Sequence, residues 1–484
     1  MDSVNFVIPS EANNSLLSKI HPMRRFFAAM KTVDQDPLTR PAPAGESAVA
    51  AHPLPQGGEG RFSFSCWVVS LKIMESSLRM TGLYRASLRM AEPRRTSPEN
   101  ASYIVSLRHV APVLFAILSL PLCASAQVDN LELRVTKQFD EPILTINSAG
   151  AEGNKYGFEG GRVLKLQDTY HLFTSEMVGD PHWVKMKLAH WISHDRLDWQ
   201  RASTLFESSG DFTGKDPRAA LWSPMPIYDQ AERRWNLFYV AYQCAPNVPG
   251  KWLNNHEGRI WRAVSKVKGP GGIDGPYEDV GIILQRGKES DAWEGLQGTD
   301  SFYPYRVGDK WYAFYGTAHT EVLPISSWQV GLAWAPSLAG PWKRCSQINP
   351  LNIEKRFIEN PIVTRLPNGS YVAVYDSGGW HAVGYSFSLD GIHWTPGKQL
   401  IVQQGKGVWA SEVRTPLGLI PEGTDSFTLF YTANQDILGV PPDAQGIKLT
   451  PGAVGLVAVK LGRAKAQARN RYQSKMAELS HGKD

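Results

Sequence analysis

The sequence predicts an all-β fold, a five-bladed β-propeller with four-stranded antiparallel blades around a central channel, on three observations. Five segments share one design: a polar or acidic leading residue, a strand-like run, a turn, and a second strand dense in aromatics. Their register repeats, because Glu159 to Leu166, Trp222 to Asp229, Asp300 to Val307 and Glu359 to Leu366 all span the same distance from leading residue to turn. Further alternating pieces lie between these hairpins and bring each unit to four strands. A β-sandwich of similar strand count gives no reason for one leading position to recur in register.

Composition sets the frame. A chain of 484 residues, 42% hydrophobic and 11% aromatic, has enough apolar surface for a large core. Its net charge of +5 is small for this length, and its folded part carries no long Lys/Arg run, so the electrostatic footprint of a nucleic-acid binder is missing.

Residues 1–104 differ from the rest. They show no sustained period and include LTRPAPAGESAVAAHPLPQGGEG, so they read as an extension with little stable structure. Then comes SLRHVAPVLFAILSLPLCASAQ, with basic Arg108 and His109, an apolar run from Val110 to Leu122, and small residues at Ala124-Ser125-Ala126. Residues 105–126 thus read as a secretory signal peptide cleaved after Ala126, which predicts a secreted or periplasmic protein and a start of translation further on, for example at Met90. The apolar run is too short for a finished membrane anchor. Lipidation at Cys123 ranks second, since Leu122 is large for such a site.

The propeller is expected over residues 127–463. Its hairpins are EGGRVLKLQDTYHLFTSEM from Glu159, WSPMPIYDQAERRWNLFYVAY from Trp222, DSFYPYRVGDKWYAFYGTAH from Asp300, ENPIVTRLPNGSYVAVYDSG from Glu359 and EVRTPLGLIPEGTDSFTLFYTAN from Glu412, the last one residue out of register. Four of the intervening pieces end near an aromatic, Trp199, Tyr277, Trp342 or Trp394, which reads as blade packing. Of the cysteines beyond the signal segment, Cys244 and Cys345 form one disulfide or stay unpaired and buried. Residues 464–484 read as a charged tail or short helix.

In a propeller the innermost strands all run the same way, so residues at one register gather at one mouth of the channel. That places Glu159, Trp222, Asp300, Glu359 and the Glu412–Arg414 stretch in a ring. Converging carboxylates raise at least one pKa and weaken the fold, which favours a functional role. Glycoside hydrolysis needs such a set, a protonated acid for the leaving oxygen and an ionised carboxylate across the bond, while an indole such as Trp222 suits stacking on a sugar face. Arg414 is the basic residue nearest the ring register, ahead of Arg162, Arg218 and Arg306. His319 and His381 follow the second strands of their hairpins and either reach the site or solvate a blade edge; His319 is kept as a candidate substrate contact.

With these segments, and with phrases such as LAWAPSLAGPWKR and VGYSFSLDGIHW, the chain from about Val128 to Leu461 resembles the five-bladed propeller glycosidases of glycoside hydrolase family 43 and its relatives in families 32, 62 and 68. The resemblance implies an inverting hydrolase acting on a polysaccharide or oligosaccharide, with Glu159 at the base position, Asp300 at the position that tunes pKa, and Glu359 at the acid position. The chain departs from the family in carrying Glu rather than Asp on the first blade and Trp222-Ser223-Pro224 where many relatives place another acid. Two alternatives stay open: a phosphorylase of the family 130 type, which needs a basic cluster at the ring, and a non-catalytic glycan-binding propeller. No cofactor is expected; no motif with metal-ligand spacing appears, so a structural calcium is neither claimed nor excluded. The expected partner is carbohydrate, with oligomeric state open.

Overall fold

The computed structural model describes residues 128, 130–325, 328–345, 358–377, 382–403, 409–410, 412–434 and 450–464. The extension, the signal segment, His381 and the tail after residue 464 lie outside them.

Burial along the strands shows how the chain builds its layers. The second strand of the second hairpin, RWNLFYVAYQ, is buried on both faces over its whole interior, whereas the outer strands QRASTLFE and YEDVGIILQ largely alternate between half-buried and exposed positions. Continuous apolar runs form where neighbours cover both faces of a sheet, and alternation returns at the perimeter.

The strands form five four-stranded antiparallel sheets. Blade I is β2 (Phe158–Leu166), β3 (Thr169–Gly179), β4 (Lys185–Ser193) and β5 (Gln200–Glu207). Blade II is β6 (Ala220–Asp229), β7 (Arg234–Gln243), β8 (His256–Ser265) and β9 (Tyr277–Gln285). Blade III is β10 (Asp300–Val307), β11 (Lys310–Ala318), β12 (Trp328–Ala335) and β13 (Lys343–Arg344). Blade IV is β14 (Glu359–Arg365), β15 (Tyr371–Asp376), β16 (Ala382–Ser388) and β17 (Lys398–Ile401). Blade V is β18 (Glu412–Pro421), β19 (Ser426–Asn434), β20 (Ala453–Arg463) and, as its outermost strand, β1 (Leu131–Lys137) from the other end of the domain.

That last strand completes the ring. β1 pairs antiparallel with β20 from Leu131 opposite Arg463 to Val135 opposite Val459, and Leu133 is buried in the core. The sequence reading assigned no strand to this place, because LELRVTK stands apart from any hairpin.

The aromatics pack the blades together as expected. Trp199 of blade I meets Phe430 of blade V edge-on at 6.1 Å, and Trp394 of blade IV lies 5.5 Å from Phe314 of blade III. Trp342 caps Phe302 at 5.0 Å within blade III. Cys244 and Cys345 are both free thiols. Among the described residues no helix is long and apolar enough to cross a membrane.

One irregularity recurs in every blade. Each innermost strand breaks register just after its leading position, between Glu159 and Gly161, Trp222 and Met225, Asp300 and Tyr303, Glu359 and Ile362, and Val413 and Pro416. In four blades the residue following the leading one has positive φ, at Gly160, Ser223, Ser301 and Asn360. Bulges re-aim side chains at sites and tolerate proline, which accounts for Pro224, Pro361 and Pro416 standing where a regular ladder would reject them.

Candidate active site

The bulges turn the leading side chains toward one mouth of the channel. Arg414 occupies the ring position of blade V: its nearest partners are Glu159 of blade I, Glu359 of blade IV and Asp376 at the end of β15. Its Nε and one Nη donate to Glu159 Oε1 at 3.3 and 3.0 Å, the same Nη stands 3.9 Å from Glu359 Oε2, and the other Nη stands 3.5 Å from Asp376 Oδ2. The guanidinium is almost wholly buried. Burial alone would disfavour its charge, but the carboxylates of Glu159, Asp376, Glu359 and Glu412 outweigh that and push its pKa up.

The two acids on blades III and IV are held toward the protonated form. Burial pushes the Glu359 carboxyl well above the usual range, Asp300, Asp376 and Glu159 add to the push, and Arg414 opposes it. The side chain keeps 13% exposure, so it still meets solvent through the mouth. Burial also raises Asp300, with Glu159 contributing, against hydrogen bonds from Tyr242 and Ser301 that favour its carboxylate. The Ser301 amide donates to Asp300 Oδ1 at 2.6 Å, and Gln297 Nε2 reaches Oδ2 at 3.5 Å.

Trp222 takes the ring position of blade II, half-buried against the main core, and its indole N–H is buried without a hydrogen-bond partner. Glu159, Trp222, Asp300 and Glu359 each stand at or near the start of their blade's innermost strand, and in blade V the residue that meets Glu159 and approaches Glu359 is Arg414 rather than Glu412. His319 is not joined to this group: its Nδ1 meets Glu321 Oε1 at 2.8 Å, with the side chain 39% exposed. Arg162 lies midway along β2 and donates to the Pro226 carbonyl, Arg306 lies near the far end of β10, and Arg218 pairs with Asp279 at 2.6 Å between β9 and the lead into β6.

A layer of small polar side chains follows the ring, one residue further along each strand. Ser223 and Ser301 donate to Asn360 Oδ1 at 3.4 and 3.3 Å, and Asn360 Nδ2 donates to Thr415 Oγ1 at 3.4 Å. Gly160 completes the set, and a Cβ there would meet Ser223 Oγ at 2.6 Å. Four blades are thus tied together beneath the charges by contacts that leave no room for a side chain on the fifth.

Two members of the site were missed in the sequence. Asp376, 1% exposed, stands directly opposite Glu359 in the β14–β15 ladder, and Tyr242 approaches Asp300 from the neighbouring blade II. The phrase YVAVYD carried a signal for the first, a charge ending an otherwise apolar strand; nothing local marked the second.

Among the described residues the group spaced to hold a metal ion is His171, His190 and Asp274, in blades I and II and apart from the ring. His171 Nδ1 and His190 Nε2 share a 3.0 Å hydrogen bond, and burial lowers both pKa values, that of His190 to about 3. His190 stacks between Phe173 and His171, and its Nδ1 stands 3.3 Å from Asp274 Oδ1.

No protein-family model matches the chain, and no curated protein matches it. Solved structures do. Zg3597, a family 117 glycoside hydrolase of the marine bacterium Zobellia galactanivorans, is 13% identical over 69% of this chain and 90% of its own, with a TM-score of 0.43. BT0996, solved as an RGII complex, is 16% identical over 69% of this chain and 94% of its own, with a TM-score of 0.50. The catalytic domain of the Coprinopsis cinerea GH62 α-L-arabinofuranosidase is 12% identical over 66% and 95%, with a TM-score of 0.41. The chain is a five-bladed β-propeller by its own strand order, and it is similar, at low sequence identity, to solved glycoside hydrolases of families 43, 62 and 117.

Proposed function

We propose that this protein is a glycoside hydrolase of inverting type, with Glu359 as general acid, Glu159 as general base and Asp300 holding the acid's pKa up. The observation that carries the reading is Glu359 itself: a buried carboxyl kept protonated by burial and by Asp300, open to solvent at the mouth, beside an ion-paired Glu159. An acid with a raised pKa keeps its proton at neutral pH and gives it to the leaving oxygen as the glycosidic bond breaks. Glu159, oriented by Arg414, would take a proton from the water that attacks the sugar from the opposite face. Trp222, half-buried at the ring position of blade II, offers an aromatic face to a saccharide. The substrate would be a polysaccharide or one of its oligosaccharides.

Glu359→Gln should lower kcat on natural glycosides by about 10²–10⁴-fold. An aryl glycoside whose leaving group needs no proton should be cleaved by the variant nearly as fast as by the wild type. Equal loss on both substrates, or no loss on either, removes Glu359 from the acid role. A phosphorylase would show turnover only with phosphate added. The ring's cation among the described residues is Arg414, already engaged with three carboxylates, which favours water over phosphate as the acceptor.

We further infer export, to the outside of the cell or the periplasm, from the segment at residues 105–126. Protein beginning near residue 127 in the exported fraction supports this, and protein confined to the cytoplasm excludes it; peptides from residues 1–80 in the exported protein would exclude the later start of translation.

A further inference from the structure

A cavity of about 650 Å3 opens at the end of the channel remote from the carboxylate ring. Its walls are the later halves of β2, β6, β10 and β14, from Arg162 and Tyr303 onward in β2 and β10, and the first residues of β7, β11 and β15. Its lining residues nearest the ring, Arg162 and Tyr303, stand three positions beyond Glu159 and Asp300, roughly 10 Å at about 3.3 Å per residue, and the layer of Ser223, Ser301, Asn360 and Thr415 lies between, so this is a separate place from the ring. Its charge is also reversed. Four cations line it, Arg162, Lys165, Arg306 and Arg365, and among the described residues no carboxylate does.

Two of these cations are already engaged. Lys165 pairs with Glu422 at 3.0 Å, and Arg162 donates to the Pro226 carbonyl at 2.6 Å while lying over the Tyr303 ring. Arg306 and Arg365 are exposed and have no carboxylate partner among the described residues; Arg306 bonds the nearby Gly308 carbonyl through Nε and lies over the Trp311 ring at 5.6 Å. Unneutralised guanidinium groups around one concavity focus a positive potential there and offer paired N–H donors to a planar or tetrahedral oxyanion. Beneath the rim Tyr303, Tyr305, Trp311 and Tyr371 are buried, with Arg162 over the Tyr303 ring and Arg306 over the Trp311 ring, so the aromatics form a floor that supports the cations. The volume suits a small organic ligand rather than a single inorganic ion.

We propose that this second mouth is a binding site for an anionic saccharide, a sugar bearing carboxylate or sulfate, with its charge on Arg306 and Arg365. It stands independently of the hydrolase reading, since none of its residues belongs to the ring. Calorimetric titration of the full chain with digalacturonate, inorganic sulfate and cellobiose tests it, using a protein that also carries Glu359→Gln to prevent turnover. Digalacturonate should bind, more weakly as salt rises, with sulfate competing. Adding Arg306→Glu and Arg365→Glu should weaken digalacturonate at least tenfold while the melting temperature holds. The proposal is overturned by the absence of digalacturonate binding, by cellobiose binding as tightly, by sulfate alone binding as tightly, or by unchanged binding in the double variant, which would place the ligand at the ring.

Discussion

Arg414 and Glu159, 255 positions apart in sequence, meet across the junction of blades V and I through two hydrogen bonds of 3.0 and 3.3 Å. The same guanidinium stands within 4 Å of Glu359 and Asp376, so one buried cation holds three acids at the mouth. Removing one partner of a buried ion pair leaves uncompensated charge, which costs about 3–5 kcal/mol. Arg414→Leu should therefore lower unfolding free energy by that order in urea titration. A loss below about 1 kcal/mol would mean that the acids do not depend on it.

Glu359 makes stability depend on pH in a stated direction. A carboxyl whose pKa is raised by folding binds more protons folded than unfolded between its unfolded value, about 4.3, and its folded one. Stability falls as pH rises through that window, and the penalty is complete above it. Glu359→Gln removes the penalty, so the variant should gain on the wild type from acid to neutral pH in paired denaturation curves. A constant difference at every pH would contradict the raised pKa.

Asp376 adds negative charge opposite Glu359 and helps to keep its proton on. Asp376→Asn should shift the alkaline limb of the pH–rate profile to lower pH, because the acid then ionises more easily. A structural role alone would lower the rate without moving that limb.

Gly160 is fixed by its neighbour. Its φ of 69° disfavours any side chain, and a Cβ would press on Ser223 Oγ. Gly160→Ala should cost about 1–3 kcal/mol, and Ser223→Gly in the same chain should recover part of it. Additive losses in the double variant would show that the two positions do not touch.

β1 supplies the outer strand of blade V. Deleting residues 131–137 leaves β20 with an unpaired edge and uncovers the contacts of Leu133. The melting temperature should fall by several degrees, about 4 °C or more, since each kcal/mol moves a domain of this size by about 2–4 °C. An unchanged melting curve would mean that four-blade packing alone holds the ring.

How much could be read in advance differs between strands and site. The five hairpins were legible because aromatic-rich second strands and turns such as Pro367-Asn368-Gly369 signal locally, and Gly369 indeed closes its turn at φ 86° with a 2.9 Å bond to Leu366. The ring was legible because equal register in parallel innermost strands converts sequence repetition into proximity. β1 was not, since its partner β20 lies at the far end of the domain and its pairing leaves no local trace. The bulge hides the fifth register: Arg414, not Glu412, stands at the same distance from its turn as Glu359 does, which counting from the first acidic residue obscured. Asp376 and Tyr242 come from second strands, where position relative to the channel depends on pairing rather than on repetition. The cations of the second mouth were each visible, yet only the shared direction of the strands brings Arg162, Arg306 and Arg365 to one rim.

Blade V joins the two ends of the domain, and the Ala464 amide bonds the Asn130 carbonyl at 2.8 Å. During synthesis the segment around Leu131 emerges first and finds its partner last, after the other four sheets and β20 have left the ribosome. The β1–β20 pairing joins residues more than 300 positions apart, so closing it carries the largest loop-closure cost among the strand pairs of the domain. Adjacent ends also make the ring a candidate for circular permutation: linking residue 464 to 130 and opening the chain between blades II and III would turn that last step into a local one.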